Sequence, residues 1–331
     1  MSKYRLCDAK RHPEAIRPKD HKLQVCGLSS FGLRMTPAES DCFTTSFLAI
    51  ALLCVIFSQQ INAQEPALED GLYQQLYNTG EVRQLLTFTD GKQTGPFNSF
   101  YRTGPLMGEG YYLDGTLERE ARAYFPDGTR RFDMNYHHGQ LQGLAKSYYP
   151  DETLKVSARY ERGVLHGTFE EYYPDGNLHY KRHYRHGKVD GVVKEFSRDG
   201  DILREAFYKN GVQQGVIREF NEDGKLSRAF EAHEGIPDGI IREFYLTGMI
   251  KGEALLTQGK IQDGYLIEYY PSGELWRCVK VVGGLRQGIF EEYYADGAIK
   301  MIGHFVDDQR HGAFRSYDED GTLGTATELS P

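Results

Sequence analysis

Tryptophan occurs once in 331 residues, and four of the five cysteines, Cys7, Cys26, Cys42 and Cys54, lie upstream of Gln64. Without that upstream segment only Cys278 remains, which excludes an intramolecular disulfide and a cysteine-based zinc site. Positive charge is not in excess. The chain has 39 Lys+Arg against 47 Asp+Glu, a formal net charge of −8, so it carries no overall electrostatic footprint for nucleic acid. A mean hydropathy of −0.56 excludes a polytopic membrane protein. What is abundant is glycine and tyrosine, 37 and 23 residues, with 18 Phe. That is ample material for burial, which argues against wholesale disorder. Tyr and Gly in excess together point to many short strands joined by tight turns.

The segment upstream of Gln64 is of a different kind. Residues 1–46 form a long basic extension with Lys3, Arg5, Lys10, Arg11, Arg17, Lys19, Lys22 and Arg34, consistent with an over-extended start for which Met35 is a candidate initiator. Phe47–Phe57 (FLAIALLCVIF) is an uncharged apolar run, too short for a helix across a bilayer, which needs about 20 residues. Residues 47–63 therefore suit a signal-peptide core and cleavage region, with a cut expected between Ala63 and Gln64. The expected location is exported, periplasmic or envelope-associated; the alternative is membrane anchoring by the uncleaved apolar segment. Residues 64–331 hold 31 Lys+Arg and 42 Asp+Glu, a net charge of −11, which disfavours binding to anionic lipid.

From there on one period governs the chain. Gly80, Gly104, Gly128, Gly176, Gly200, Gly224 and Gly248 recur at every 24th position, with Glu152 in the vacant slot. After a one-residue insertion the grid resumes at Gly273, Gly297 and Gly321. Four residues before each turn stands an aromatic or leucine, from Leu76 and Phe100 through Tyr172 to Tyr317. Two residues after it stands an apolar residue in every unit but one, where Arg130 takes the place. A third column reads Phe88, Tyr112, Tyr136, Tyr160, Tyr184, Tyr208, Ala232, Leu256, Val281 and Phe305, and is followed by a second, Gly-x-x-x-Gly turn such as Gly139…Gly143.

Asp-Gly turns between aromatic and β-branched runs signal hairpins, because glycine accepts the positive φ such turns require. Two glycine turns in every period leave no room for a stable helix. One hairpin cannot bury an apolar face alone, so the units must stack. The expected fold is all-β: an elongated single ribbon of about eleven hairpin repeats over residues 64–323, with 324–331 as a tail. Two strands per unit at ~4.8 Å each give a length on the order of 100 Å.

The unit Glu171-Tyr172-Tyr173-Pro174-Asp175-Gly176-Asn177-Leu178, followed by Tyr184-Arg185-His186-Gly187-Lys188-Val189-Asp190-Gly191, resembles the MORN repeat in its bacterial variant form, as in YwqK-type antitoxin-like proteins. The resemblance spans about Gly71 to Leu323. It implies a hairpin-repeat fold and, from the label many such arrays carry, an antitoxin of a toxin–antitoxin system. The departures are Glu152 and Asp308 in glycine positions, a unit that reads as compressed around Met107–Tyr112, and the insertion between Gly248 and Gly273.

No catalytic constellation emerges. His138, His166, His186 and His311 each precede a glycine and read as turn residues. His179 and His183 are four apart, roughly 13 Å on a strand, too far to share an ion. The Gly-Gly-x-Gly-x-Asp nonapeptide of calcium β-rolls is absent, so Asp175-Gly176-Asn177 reads as turn chemistry. The acidic column Glu171, Glu195, Glu219, Glu243, Glu268 and Glu292 is too widely spaced for a catalytic carboxylate pair. It is expected to be a solvated strand face softened by Arg204, Arg218, Arg228, Arg242 and Arg277, or else a ladder for a repetitive basic partner. Tyr172 and Tyr173 must face opposite sides, placing one column in the core and leaving the other partly exposed.

The expectation is a non-catalytic, exported scaffold or adaptor. It would dock an unidentified protein through Tyr173, Tyr245, Tyr270 and Tyr294 with Glu171, Glu195, Glu219 and Glu243. No catalytic residue, cofactor, metal, nucleic acid or small-molecule substrate is called for, and membrane association would come only through an uncleaved leader. The alternatives are an antitoxin-like protein that neutralises a toxin by binding it and, last, an enzyme. Serine in place of Tyr173, Tyr245 and Tyr270 is expected to leave the fold nearly intact.

Overall fold

A computed structural model describes residues 70–329; the basic extension, the expected signal-peptide core and the expected cut between Ala63 and Gln64 lie outside them. The described residues are all strand and turn. They form one antiparallel sheet of 28 strands that follow one another across the sheet in chain order. Six strands are two-residue pieces, such as Lys188–Val189, that continue into a longer strand beside the same neighbour. Among the described residues the sheet does not close: Gly71–Leu76 pairs only with Val82–Thr89, and Leu323–Leu329 only with Gly312–Tyr317.

One unit shows why the sequence takes this form. Strand Val164–Tyr172 is joined to strand Leu178–Arg185 by the turn at Gly176. There the Gly176 N–H donates to the Tyr173 carbonyl at 2.9 Å and the Tyr173 N–H to the Asn177 carbonyl at 2.8 Å. This is a tight hairpin loop with a bulge at Glu171/Tyr172, and it needs the positive φ of +88° at Gly176. Asp175 closes the turn through Oδ1, which accepts from the Asn177 N–H. The second turn, His186-Gly187, has two central residues, both with positive φ (+49° and +78°), the geometry whose twist matches that of the flanking strands.

The departures from the repeat are absorbed locally. Glu152 adopts φ +64° in the vacant glycine slot, and Asp308 adopts +67° while its carboxylate accepts from the Arg286 backbone N–H and Nε. The extra residue of the inserted unit lies between strand Lys260–Ile261 and Gly264, where Asp263 Oδ1 accepts from the Gly283 N–H. The stretch Met107–Tyr112, expected to be compressed, lies in an ordinary strand, Leu106–Leu113. The irregularity sits one strand later: Arg119 has φ +68° where other units carry the second glycine of Gly-x-x-x-Gly. That second glycine is therefore a bulge within the outgoing strand and does not belong to the turn itself. The sheet also runs on to Leu329, so residues 324–329, expected as tail, complete the last hairpin.

The core lies on one side of the sheet. The third column is its centre, with Tyr136, Tyr160, Tyr184, Ala232, Leu256, Val281 and Phe305 all buried. Facing it is a column seven residues before each turn: Phe97, Ala121, Ala145, Phe169, Ile217, Ile241, Leu266 and Phe314. Phe169 meets Tyr184 edge-on with ring centroids 5.7 Å apart. Between units the same kind of contact recurs where Phe305 meets Phe314 edge-on at 5.5 Å.

Candidate interaction surface

The acidic column does not lie on a solvated face. It shares the core side, in one cross-strand row that can be followed rung by rung from Gln84, Ser99 and Gly108 through Glu171, Tyr180, Glu195, Arg204, Glu219, Arg228 and Glu243 to Glu268, Arg277, Glu292 and Met301. The first rungs are small or neutral; from Glu195 to Glu292 carboxylate alternates with arginine, except that Gly252 stands between Glu243 and Glu268. Glu243 and Glu268 are 8% and 9% exposed. Arg228 Nη2 lies 3.0 Å from Glu243 Oε1 and its Nη1 3.6 Å from Glu219 Oε2. Arg277 pairs with Glu268, and Tyr180 donates its hydroxyl to Glu195 at 2.8 Å. Of the expected softening arginines, Arg204, Arg228 and Arg277 stand in this row, whereas Arg218 and Arg242 point to the other side and pair with Glu205 and Glu253. The carboxylates of the row are held among their own partners, the physical requirement for charges taken out of water.

The tyrosine column is also occupied. The hydroxyl of Tyr173 donates to the Phe196 carbonyl at 2.9 Å, Tyr245 to Tyr269 at 2.8 Å, Tyr270 to Tyr293 at 2.7 Å and Tyr294 to Tyr317 at 2.9 Å. Each donor ties one unit to the next, and Tyr77, Tyr101 and Tyr149 do the same. The tie is absent by residue type at Phe125, Ser197 and Asn221. These tyrosines are half-buried; Tyr173 stacks on His179 at 4.0 Å. Serine at Tyr173, Tyr245 and Tyr270 would therefore cut three inter-unit ties, which corrects the expectation of a nearly unaffected fold. His183 is engaged separately, with Nδ1 3.2 Å from the Asp190 carbonyl, so His179 and His183 do not converge.

A different surface is left open. Val192, Phe207, Val216, Ile240, Leu255 and Ile289 are each 40–59% exposed. Their sequence neighbours Ile217 and Ile241 are buried, so by strand alternation this row faces away from the core. Val192 pairs across the sheet with Phe207, and Ile240 with Leu255. The sequence does carry a partial signal for it: eight residues before the turn position the grid reads Leu144, Val192, Val216, Ile240 and Ile289, of opposite parity to Ile217 and Ile241, although Glu120 and Thr168 stand in the same column.

On the same outer side a second set of tyrosines bonds carboxylates. Tyr124 donates to Glu109 at 2.6 Å, Tyr148 to Asp133 at 2.7 Å and Tyr172 to Glu170 at 3.0 Å. Burial first, and the adjacent carboxylate second, push these three phenols from the ordinary 10.0 up to about 12; burial alone does so for Tyr112. A raised folded value means the neutral phenol is favoured by folding. That stability is intact below about pH 10 and is lost as pH rises through about 12. Alkaline titration followed by tyrosinate absorbance and circular dichroism should show loss of sheet within that window, coincident with late-ionising tyrosines. Ionisation of all tyrosines near the ordinary phenol value with the sheet intact would refute it.

Among the described residues one group of side chains has the spacing of metal ligands: Glu118, His137 and His138, whose ligand atoms lie within 4.8 Å of one another.

The fold and surfaces define an open all-β hairpin-repeat ribbon, with a packed side that is internally paired and an outer side that carries apolar residues in water. The family model of the MORN repeat variant matches residues 165–186, 189–210 and 286–307, so the chain carries MORN-variant repeats. Each match runs from the strand after one two-residue turn to the first residue of the next, at His186, Asn210 and Asp307. No curated protein matches the chain.

Proposed function

We propose that the array is a non-catalytic protein-binding scaffold whose partner lies along the outer apolar row from Val192 to Ile289. The observation that carries this reading is the set of large aliphatic and aromatic side chains held in water on the side opposite the core: the cross-strand pairs Val192–Phe207 and Ile240–Leu255, with Val216 opposite Glu231 and Ile289 opposite His304 between and beyond them. The glutamates and tyrosines of the repeat support the scaffold and leave the outer row for recognition. The occupant is a protein that lays an extended or helical apolar face across the strands. With the leader as a cleaved export signal, the scaffold works in the periplasm or envelope. The antitoxin-like alternative would use the same row from the cytoplasm to cover a toxin.

The test uses a photo-crosslinking residue at Ile240 and, as a control, at Asp223 on a turn. Crosslinking of one protein from Ile240 and not from Asp223 is expected. The variant V216D/I240D/I289D, with an unchanged circular dichroism spectrum, should weaken that partner about tenfold or more, as buried hot-spot positions do. Equal crosslinking from both sites, or undiminished binding by the triple variant, would remove this surface from consideration. Recovery of the partner from the cytosolic fraction with the leader intact would favour the antitoxin-like reading.

A further inference from the structure

The rung at His137-His138 differs chemically from its counterparts. In the repeat, the residue twenty positions before each two-residue turn commonly supplies an acceptor for the turn's first N–H. Asp70 does so for Asp90, Gln142 for Arg162, Asp190 for Asn210 and Asp263 for Gly283. Glu118 performs the same task, its Oε2 accepting from the His138 N–H at 2.7 Å. That bond is ordinary structure. The other carboxylate oxygen has a different use: Oε1 lies 2.7 Å from Nδ1 of His137.

Consecutive strand residues point to opposite faces, so two adjacent histidines would normally diverge. Here the second sits in the turn with φ +49°, which swings its ring back until the two imidazole centroids are 4.1 Å apart. Glu118 belongs to strand Thr116–Tyr124, which pairs with Arg130–His137. Its carboxylate is held from behind by the His138 backbone. Both histidines are exposed, so a cation can arrive from solvent without opening the core.

We propose that Glu118, His137 and His138 form a binding site for one divalent transition-metal cation of the zinc type, with solvent completing the coordination. The donor set of two imidazoles and one carboxylate suits Zn²⁺ and its neighbours, whereas Ca²⁺ and Mg²⁺ prefer oxygen alone. The cation takes the place of the hydrogen bond between His137 Nδ1 and Glu118 Oε1. Tetrahedral ligands at ~2.0–2.1 Å from zinc lie about 3.3 Å apart, so the His137–Glu118 pair opens by roughly half an ångström. Two neighbouring strands are then clipped at the end opposite their Gly128 turn, and the folded state gains stability with cation concentration.

Calorimetric titration of the full chain with ZnCl₂ in chelator-free buffer tests this, comparing wild type with His137→Asn and His138→Asn; asparagine tolerates the left-handed turn. Because Cys7, Cys26, Cys42 and Cys54 can also take zinc, the reading is the difference between the chains. Each variant should lose one equivalent or bind it roughly tenfold or more weakly, since a three-ligand site does not survive loss of one donor. His304→Asn, at the His304–His311 ring pair 6.3 Å apart, should leave the titration unchanged. Identical titrations for wild type and both variants would overturn the site. So would displacement of this equivalent of zinc by equimolar Ca²⁺, which would mark it as a plain acidic patch.

Discussion

Replacing Gly303 by valine is expected to destabilise the C-terminal units by about 3 kcal/mol, the upper range for overpacking a core. Gly303 stands in the core-side column that holds Leu86, Met134, Phe230 and Val279 in other units. Here the space is filled from the neighbouring strand: a Cβ built on Gly303 would lie 2.3 Å from Cδ1 and Cε1 of Phe314 and 2.5 Å from its Cζ. The ring cannot step aside freely. It meets Phe305 edge-on at 5.5 Å, approaches Phe290 at 6.4 Å, and has the Arg310 guanidinium 4.7 Å above its face. Because stability in a repeat array is local, the loss should appear first in amide exchange of strands Ile299–Val306, Gly312–Tyr317 and Leu323–Leu329. Adding Phe314→Ala makes room for the valine, so a double-mutant cycle should return a coupling of at least ~1 kcal/mol in the restoring direction. Additive losses would mean that Phe314 does not occupy the space over Gly303.

Arg228→Met is expected to cost about 3 kcal/mol, because it leaves a carboxylate on the packed side without its main counter-charge. Glu243 is 8% exposed and receives the Arg228 guanidinium at 3.0 Å, with the Lys251 ammonium more distant at 3.9 Å. The matching substitution on the outer side, Arg122→Met, removes a 2.8 Å pair with Glu120 whose side chains are 43% and 50% exposed. That change should cost no more than about 0.5 kcal/mol. Arg228→Met combined with Glu243→Met should recover most of the loss, since a buried pair replaced as a whole is often neutral. Urea titrations of the three variants decide it. Equal, small effects at Arg228 and Arg122 would place the acidic row in water after all.

The turn glycines led directly to the architecture. Gly176 and its equivalents lie where the chain needs positive φ, and Tyr184, Leu256 and Phe305 in the third column are the core. Glu152 and Asp308, read as defects of the pattern, are residues forced into the same left-handed geometry by the units around them. The acidic row was not legible in the same way. Its column was visible, but its side was not: the bulge at Glu171/Tyr172 adds a residue to one strand, and alternation cannot be carried through a bulge by counting. The tyrosine ties were likewise hidden, because a hydroxyl reaching a carbonyl of the following unit is a contact that no single unit contains.

Taken alone, the residues determined local matters: the repeat period, the all-β class, the two turns of every unit, and the backbone positions that only glycine or a strained residue can fill. These follow from short-range sterics and hydrogen bonding, which a single unit already contains. The tertiary structure decided which side of the sheet is dry. Phe169 packs on Tyr184 and Ile217 is covered, so Glu243 and Arg228 are drawn inward with them, while Val216 and Ile240 are left in water. It also brought Glu118 beside His137 and His138, by pairing two strands and folding one histidine back at a left-handed turn. Parity depends on stacking between units, and the approach of Glu118 to the two histidines on the pairing register and left-handed turn of one hairpin; counting along the sequence records neither.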